Sequence, residues 1–374
     1  YGCRRRDGQV MATILLTGFP GFLGSELVER LLERCPLDTT VACLIQSKFK
    51  ELAKQRAAAI ERRNVQWSGR IRLYEGDITL PDLGLGKDYA VLTGKTLEIY
   101  HLAAVYDLAV KKRIGMLVNV KGTRQMLRFA ENCSSLNRFH YVSTCYVSGR
   151  YAGEFSEKDL QKGQTFNNFY EETKYLAELE VQKYMASGFP TTVYRPSIVV
   201  GNSRTGATQK YDGPYFIIQW ILRQPTYAIV PIIGDTNRYN VNLIPSDFLI
   251  DAISYLSSLD LSRDKVYQLC SPDPPTVSEL LAILEDATER KLVRVPLPKL
   301  IAKGALKYVP GVYRLMRIEP EAIEYFVHPT RYSCDHMLHD LKGTDIACPP
   351  FSYYARNLVE FMRRRPEISP AAMA

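Results

Sequence analysis

An α/β architecture, a doubly wound parallel β-sheet followed by a smaller mixed α/β lobe, is what this sequence of 374 residues predicts. Three observations carry that expectation. Through the first half, short β-branched or apolar runs alternate with longer amphipathic stretches, the pattern of βαβ units around a parallel sheet. A glycine-rich turn follows the first apolar run and opens at once into an amphipathic stretch. After about residue 200 the pattern changes: Gly, Pro, Asn and Tyr become frequent and the candidate elements shorten.

In order along the chain, strands are expected at 12–17, 39–46, 70–75, 97–101, 137–143 and 190–195. Helices are expected between them at 22–34, 47–63, 109–132 and 168–187, each rich in Leu, Glu, Lys, Arg and Ala at helical spacing. Six strands with their helices complete a doubly wound sheet. Beyond residue 207 helices are expected near 246–258, 277–290, 319–327 and 352–364. Residues 1–10 differ in character from the rest of the chain, and Met11 stands directly before the first strand, so the decapeptide is set aside as a non-native or disordered extension.

Composition excludes several classes. With 46% apolar and 24% charged residues, the chain is neither disordered nor fibrous. No run of 18 apolar residues and no leader pattern is present, so no transmembrane segment is expected and a cytoplasmic protein is the default. The eight cysteines are scattered without a C-x-x-C pair and read as reduced thiols. The net charge of +8 owes much to Arg4-Arg5-Arg6 and Arg363-Arg364-Arg365, so nucleic acid is not the expected partner and an anionic small molecule or acyl carrier fits as well. The basic amphipathic stretch Lys299 to Arg317 has two readings: a helix pair packed on the second lobe, or a peripheral membrane or acidic-partner contact.

The turn after the first strand is Thr17-Gly18-Phe19-Pro20-Gly21-Phe22-Leu23-Gly24. Its glycines permit a tight turn, close backbone approach to a pyrophosphate and close packing of helix on strand, with the helix N-terminus facing the phosphates. This is a dinucleotide-binding pattern, and residues 11–206 become the dinucleotide-binding domain of Rossmann type. Residues 207–374 become the substrate-binding lobe, with room to return strands or helices to the first domain. The second strand ends Gln46-Ser47-Lys48 without the carboxylate that grips a ribose 2′-hydroxyl, so NADP(H) is favoured over NAD(H). Asp77, in Gly76-Asp77-Ile78, stands where it either meets the adenine amine or simply forms a turn.

Tyr170 and Lys174 are spaced i, i+4 on one helical face, one helix after a strand ending Tyr141-Val142-Ser143-Thr144. A tyrosine is a poor acid–base group near neutrality unless a cation stabilises its anion, and Lys174 supplies that cation. The Thr144 hydroxyl would hold the substrate oxygen beside Tyr170, and Asn119 would complete a proton route.

On these residues the chain resembles the extended short-chain dehydrogenase/reductase superfamily. The matches are Thr17-Gly18-x-x-Gly21-x-x-Gly24, Gly76-Asp77-Ile78, His101-Leu102-Ala103-Ala104, Asn119-Val120-x-Gly122-Thr123, Val142-Ser143-Thr144, Tyr170-x-x-x-Lys174 and Arg195-Pro196, spread from residue 12 to about 206. The resemblance implies a Thr144, Tyr170, Lys174 triad with Asn119. It also implies cofactor contacts from Gly18, Pro20, Gly21, Phe22, Leu23, Gly24, Gln46, Ser47, Lys48, Asp77, Ile78, Leu102, Ala103, Ala104, Arg195, Pro196 and Ser197. Within the superfamily the chain looks most like the fatty acyl-CoA reductase and thioester reductase branch, on Asp82-Leu83-Gly84-Leu85, Tyr141 to Val147 and Arg195 to Gly206. That branch commonly places an arginine where this chain has Gln46. The resemblance implies reduction of an acyl thioester, carried on coenzyme A or a carrier protein, to an aldehyde and on to an alcohol. A lipid ketone, sterol or nucleotide-sugar enzyme and a non-catalytic cofactor-binding protein are the rival readings.

Three further groups carry residue types with possible chemistry. Cys334-Asp335-His336-x-x-His339-Asp340 holds zinc-ligand residue types, but a solvated helix face is the expectation and no metal site is assigned. Cys145 beside Thr144 is expected to be a small strand residue and not a nucleophile. Tyr146, and Tyr215 and Trp220 in the run Tyr215 to Leu222, are candidates to line the substrate pocket, the run being either a core face or the wall of an apolar acyl tunnel.

Overall fold

The computed structural model describes residues 12–232, 234–297 and 320–369; the decapeptide 1–10 and the stretch Lys299 to Arg317 lie outside the described residues. In the first half the elements run β1 (Thr13–Thr17), α1 (Phe22–Arg34), β2 (Thr40–Ile45), α2 (Lys50–Glu61), β3 (Ile71–Glu75), α3 (Asp88–Thr93), β4 (Thr96–His101), α4 (Lys112–Gly115), α5 (Gly122–Glu131), β5 (Arg138–Val142), β6 (Gly153–Phe155), α6 (Phe169–Ala186) and β7 (Thr191–Pro196). There follow β8 (Ile198–Val200), α7 (Tyr215–Leu222), β9 (Tyr227–Ile232), β10 (Leu243–Pro245), α8 (Ser246–Ser258), β11 (Lys265–Leu269), α9 (Val277–Thr288), β12 (Lys291–Pro296), β13 (Thr330–Tyr332), α10 (Asp335–Asp340) and α11 (Phe351–Arg364).

Seven parallel strands form the central sheet in the order β3-β2-β1-β4-β5-β7-β11. Every residue of β1, β5 and β7 is buried, as expected for strands covered by helices on both faces. Alternation along β1 divides the core: Ile14 and Leu16 join α1 and α8 through Val28, Leu31, Leu249 and Ile253, while Leu15 joins α5 and α6 through Leu127, Phe129, Ala177 and Val181. The chain runs outward from β1 to β3 and then crosses back to β4. The strand order therefore reverses between β1 and β4, and a crevice opens there at their carboxyl ends, at Thr17 and His101.

The structure departs from the sequence-based expectations in four places. The sheet has a seventh strand, β11, supplied from beyond residue 207 and paired with β7 through Val266 against Val193. The expected helix 47–63 begins as a 3-10 turn, Ser47–Phe49, before α2. The expected helix 109–132 starts only at Lys112 and carries a π-helical stretch, Met116–Lys121, between α4 and α5. The segment Pro320–Val327 is 3-10 and not α-helical. The second lobe has its own core, in which Tyr215, Ile218 and Ile221 of α7 pack with Leu280 and Leu284 of α9 and Leu358 of α11.

Candidate active site at the sheet switch point

The glycine-rich turn is shaped by contacts that no side chain could share. Gly18 has a φ of 98°. A Cβ on Gly21 would lie 2.7 Å from the Gly18 carbonyl oxygen, and one on Gly24 only 2.5 Å from it. The turn is closed by the Gly21 amide donating to that carbonyl at 2.8 Å. Phe22 and Leu23 open α1 half-buried, with no acidic residue in the first turn, so the free helix amides face the crevice without a competing carboxylate. Across the crevice, the Thr17 hydroxyl accepts from the Ala103 amide at 3.1 Å and bonds His101 Nδ1 at 2.8 Å, tying the end of β1 to Leu102-Ala103-Ala104. His101 is buried, and desolvation followed by Lys174 pulls its imidazole down to about 3, so it is neutral.

Beyond β2, the Gln46 amide donates to Asp77 at 3.0 Å, and Asp77 also accepts from the Thr79 amide at 2.8 Å, so Asp77 does form the turn. Ser47 and Lys48 are exposed, with the Lys48 ammonium 5.0 Å from the Phe49 ring centroid. Ile78 is core: it packs against Gly122, where a Cβ would lie 2.7 Å from Ile78 Cδ1. A residue that sequence reasoning missed completes this wall. Arg56, on α2, reaches back to donate a hydrogen bond to the carbonyl of Pro20 in the glycine-rich turn. The available signal was a lone cation within the apolar stripe Ala53, Ala57 and Ile60.

Thr144 follows the carboxyl end of β5, and its hydroxyl lies close enough to Tyr170 to act on the charge of its phenol. Thr144 caps a 3-10 turn by accepting from the Tyr146 amide at 3.3 Å, which fixes its rotamer. Its neighbour Ser143 is committed elsewhere, donating to Glu178 at 2.5 Å. Tyr170 stands at the start of α6, whose N-cap Asn168 accepts from the Glu171 amide. Burial and then Glu171 hold its phenol well above the usual range, the Thr144 hydroxyl opposing. Lys174 is buried and donates to the Tyr141 hydroxyl at 3.0 Å and the Val142 carbonyl at 2.8 Å, and burial pulls its ammonium down to about 7.

Two side chains are engaged by protein partners. Asn119 makes no hydrogen bond to Lys174 or Tyr170 among the described residues: its side-chain amide holds the Val105 backbone at 2.9 Å and Thr173 at 3.0 Å, while its backbone carbonyl accepts from Thr123. It positions the β4 loop against α6 from inside the π-helical stretch, a common location for a functional distortion. The Arg195 guanidinium is fully buried, bonded to Glu178 at 2.7 and 2.9 Å and to the carbonyl of Asp159. Pro196 contributes its carbonyl to Thr144 at 3.4 Å. Ser197 is buried and its hydroxyl has no hydrogen-bond partner among the described residues, an unmet polar group at the carboxyl end of β7.

The candidate substrate-lining residues separate. Tyr146 is buried beneath Tyr325, His328 and Tyr332, at ring distances of 4.6, 4.9 and 6.1 Å. Tyr215 and Trp220 lie in the second lobe instead. The Tyr215 hydroxyl accepts from the Gly201 amide, Trp220 donates to the Ile229 carbonyl, and Tyr215, Ile218 and Ile221 of the run face the core of the second lobe. Tyr106, unforeseen, packs edge-on against Tyr170 at 5.0 Å. Cys145 is buried with its thiol on the Arg195 carbonyl, and His336, His339 and Asp340 bond to Val266, Asp340 and Lys265 respectively.

Seven parallel strands, a glycine turn at the reversal point and a Tyr-x-x-x-Lys helix beside it define an extended short-chain dehydrogenase/reductase, an NAD(P)-dependent oxidoreductase. The profile of the male sterility protein family, a nicotinamide-dinucleotide-binding family, matches residues 16–253, and the chain belongs to that family. It is similar, at 26% identity over 78% of its length, to a non-canonical nonribosomal peptide synthetase of Aspergillus campestris, of which it spans only 29%. It is likewise 26% identical over 67% of its length to a fatty acyl-CoA reductase of Drosophila melanogaster, of which it spans 55%. Among solved structures it matches the terminal R domain of the myxalamid biosynthetic pathway at 26% identity and a TM-score of 0.78, covering 96% of this chain and 92% of that one. A thiolation-reductase di-domain from an archaeal nonribosomal peptide synthetase matches at 18% identity and a TM-score of 0.72, over 96% of this chain and 76% of that one.

Proposed function

We propose that the chain is an NADPH-dependent reductase of acyl thioesters. The observation that carries the reading is the placement of Tyr170 and Lys174 one helical turn apart on α6, both buried, with the buried Thr144 hydroxyl just beyond β5. The fit to a dinucleotide rests on the tight glycine turn, in which a Cβ at Gly21 or Gly24 would strike the Gly18 carbonyl, and on the unpartnered Ser197 hydroxyl. Gly18 to Gly24, with the N-terminus of α1, would hold the pyrophosphate. Arg56, Ser47 and Lys48 would meet a 2′-phosphate; a guanidinium suits that geometry best, and its position beside Pro20 favours NADPH over NADH. When bound, the nicotinamide supplies a hydride to the thioester carbonyl carbon.

The chain's own residues do the rest. Thr144 and Tyr170 donate to the carbonyl oxygen as negative charge develops there, and Tyr170 transfers its proton to that oxygen. Lys174, as a cation, lowers the cost of the resulting phenolate; in the present arrangement burial disfavours that charge, so an anionic neighbour restores it. Collapse of the tetrahedral hemithioacetal releases thiol and leaves an aldehyde, and a second reduction of that aldehyde gives an alcohol. The support for a thioester is membership of the male sterility family together with similarity to peptide synthetases and a fatty acyl-CoA reductase. The test is NADPH oxidation with an acyl-coenzyme A or acyl-N-acetylcysteamine, with thiol release measured in parallel. Oxidation accompanied by free thiol supports the reading, whereas turnover of a hydrophobic ketone or a UDP-sugar without thiol release overturns it.

A further inference from the structure

Phenols and carboxylates gather around Tyr170. The Tyr106 ring stands edge-on, 5.0 Å from the Tyr170 ring. Tyr325 packs on Tyr146 at 4.6 Å and accepts a hydrogen bond from the side chain of Asn168, two residues before Tyr170. Two carboxylates, Glu171 and Asp212, act on the Tyr170 phenol, and Asp212 acts on the Tyr106 phenol as well. Aromatic faces backed by negative charge favour a cation over a neutral group.

The protein already places a cation there. Lys210 and Asp212 lie on the loop ahead of α7, on either side of Tyr211, whose ring is fully buried and whose hydroxyl donates to the Arg365 carbonyl at 2.9 Å. With Tyr211 anchored inward, its two neighbours meet over Tyr106: the Lys210 ammonium is 2.6 Å from Asp212 Oδ2 and 4.7 Å from the Tyr106 ring centroid. Asp212 Oδ2 is shut off from water and receives no hydrogen bond among the described residues, so the ion pair is what balances its charge. Burial raises this carboxyl, and Lys210 opposes the rise. The Lys210 ammonium is replaceable, being a compact charge on a flexible stem that can withdraw into water. Tyr106 is 41% exposed, so its ring is open to an incoming group.

We infer that this corner selects the acyl group and takes an aminoacyl thioester, whose ammonium displaces that of Lys210 from Asp212 and the Tyr106 ring while its carbonyl lies at Tyr170. The inference rests on the thioester reading above and names its substrate class. The exchange conserves charge: one ammonium leaves for water and another takes its place, so Asp212 is never left with a shielded oxygen and no counter-charge. An anionic acyl group would have to draw Lys210 off Asp212 and then sit beside two carboxylates. An alkyl chain would cover the ion pair without satisfying either partner. The spacing from Tyr170 to Tyr106 and on to the ammonium is that of a short acyl chain, so the amine belongs a few carbons from the carbonyl.

The test uses N-acetylcysteamine thioesters in matched pairs that differ by ammonium against methyl: β-alanyl with butanoyl, and ε-aminocaproyl with heptanoyl. Malonyl is the anionic control. NADPH oxidation and thiol release are followed at about pH 7, where the amines are charged, in the parent, Asp212→Asn and Lys210→Met. The readout is the ratio of kcat/KM for the amine to that for its methyl partner, which does not depend on the fraction of each protein that is folded. The expected ratio is about tenfold or more in the parent for at least one pair, falling toward unity in Asp212→Asn and rising above the parent in Lys210→Met, where the competing cation is gone. A parent ratio near unity or lower for both pairs, a ratio unchanged in Asp212→Asn, a ratio that falls in Lys210→Met, or malonyl as the best substrate overturns the inference, while the thiol released leaves the thioester reading standing. No thiol release from any of these thioesters overturns the thioester reading, and the inference falls with it.

Discussion

Tyr170 is 8% exposed, and burial with Glu171 at its side keeps its phenol protonated far above neutrality. It is therefore poised as a donor, and removing only its hydroxyl tests that role. Tyr170→Phe is expected to lower turnover at least about 100-fold while leaving NADPH affinity, read by fluorescence titration, nearly unchanged. Lys174 gives a prediction of a different kind. Burial lowers its ammonium from 10.5 to about 7, so between those values the unfolded chain binds a proton on this side chain that the folded chain does not. Stability from this group therefore rises with pH across that window and is lowest below it. Urea unfolding at about pH 7 and about pH 9 should show the cofactor-free parent gaining on Lys174→Met as pH rises; a constant difference between the two proteins would refute the assignment.

The helix α6 carries Tyr170 and Lys174, and its register depends on an ion pair that no solvent reaches. Glu178 and Arg195 are both fully buried, and Glu178 also accepts from Ser143 and Gln182, so one carboxylate fastens α6 to β5 and β7. Glu178→Ala would leave a guanidinium and a hydroxyl without that acceptor inside the protein. The expected loss is about 3–5 kcal/mol of unfolding free energy, measured by denaturant titration, with activity falling because Thr144 and Tyr170 lose their common support. The π-helical stretch works on the opposite side of α6. It turns Asn119 toward Val105 and Thr173, so the β4 loop and the reactive helix are held by one amide.

For the protein as a unit, cofactor choice is readable as stability, because a ligand that binds only the folded state adds to it. NADPH at about 100 times its dissociation constant should stabilise the cofactor-free protein by about 2.7 kcal/mol, and NADH at the same concentration by less. Arg56→Ala is expected to narrow that difference, weakening NADPH binding about tenfold with little effect on NADH, since only NADPH carries the phosphate that a guanidinium would hold. Equal stabilisation of the parent by both dinucleotides would count against Arg56 as the discriminating residue. No helix among the described residues is long and apolar enough to cross a membrane.

Local signals made much of this legible from the residues. The strands β1 to β5 and β7 could be read because each is a short, densely apolar run bounded by turn residues, and α1, α6 and α8 because their apolar spacing and length leave little alternative. The glycines of the turn and the i, i+4 spacing of Tyr170 and Lys174 are likewise consequences of backbone geometry within a few residues. Other features depend on partners distant in sequence. Strand β11 was hidden because a five-residue run becomes a central-sheet strand only by pairing with β7, some seventy residues earlier. Arg195 lies in a matching motif, yet its side chain turns to Glu178, and Arg56 reaches Pro20 across the helix–sheet interface. The apolar run from Tyr215 to Leu222 has the same pattern whether it faces a pocket or a core. Packing against α9 and α11 assigns it to the core, since burial is a property of the surroundings that a helix meets and not of the helix alone.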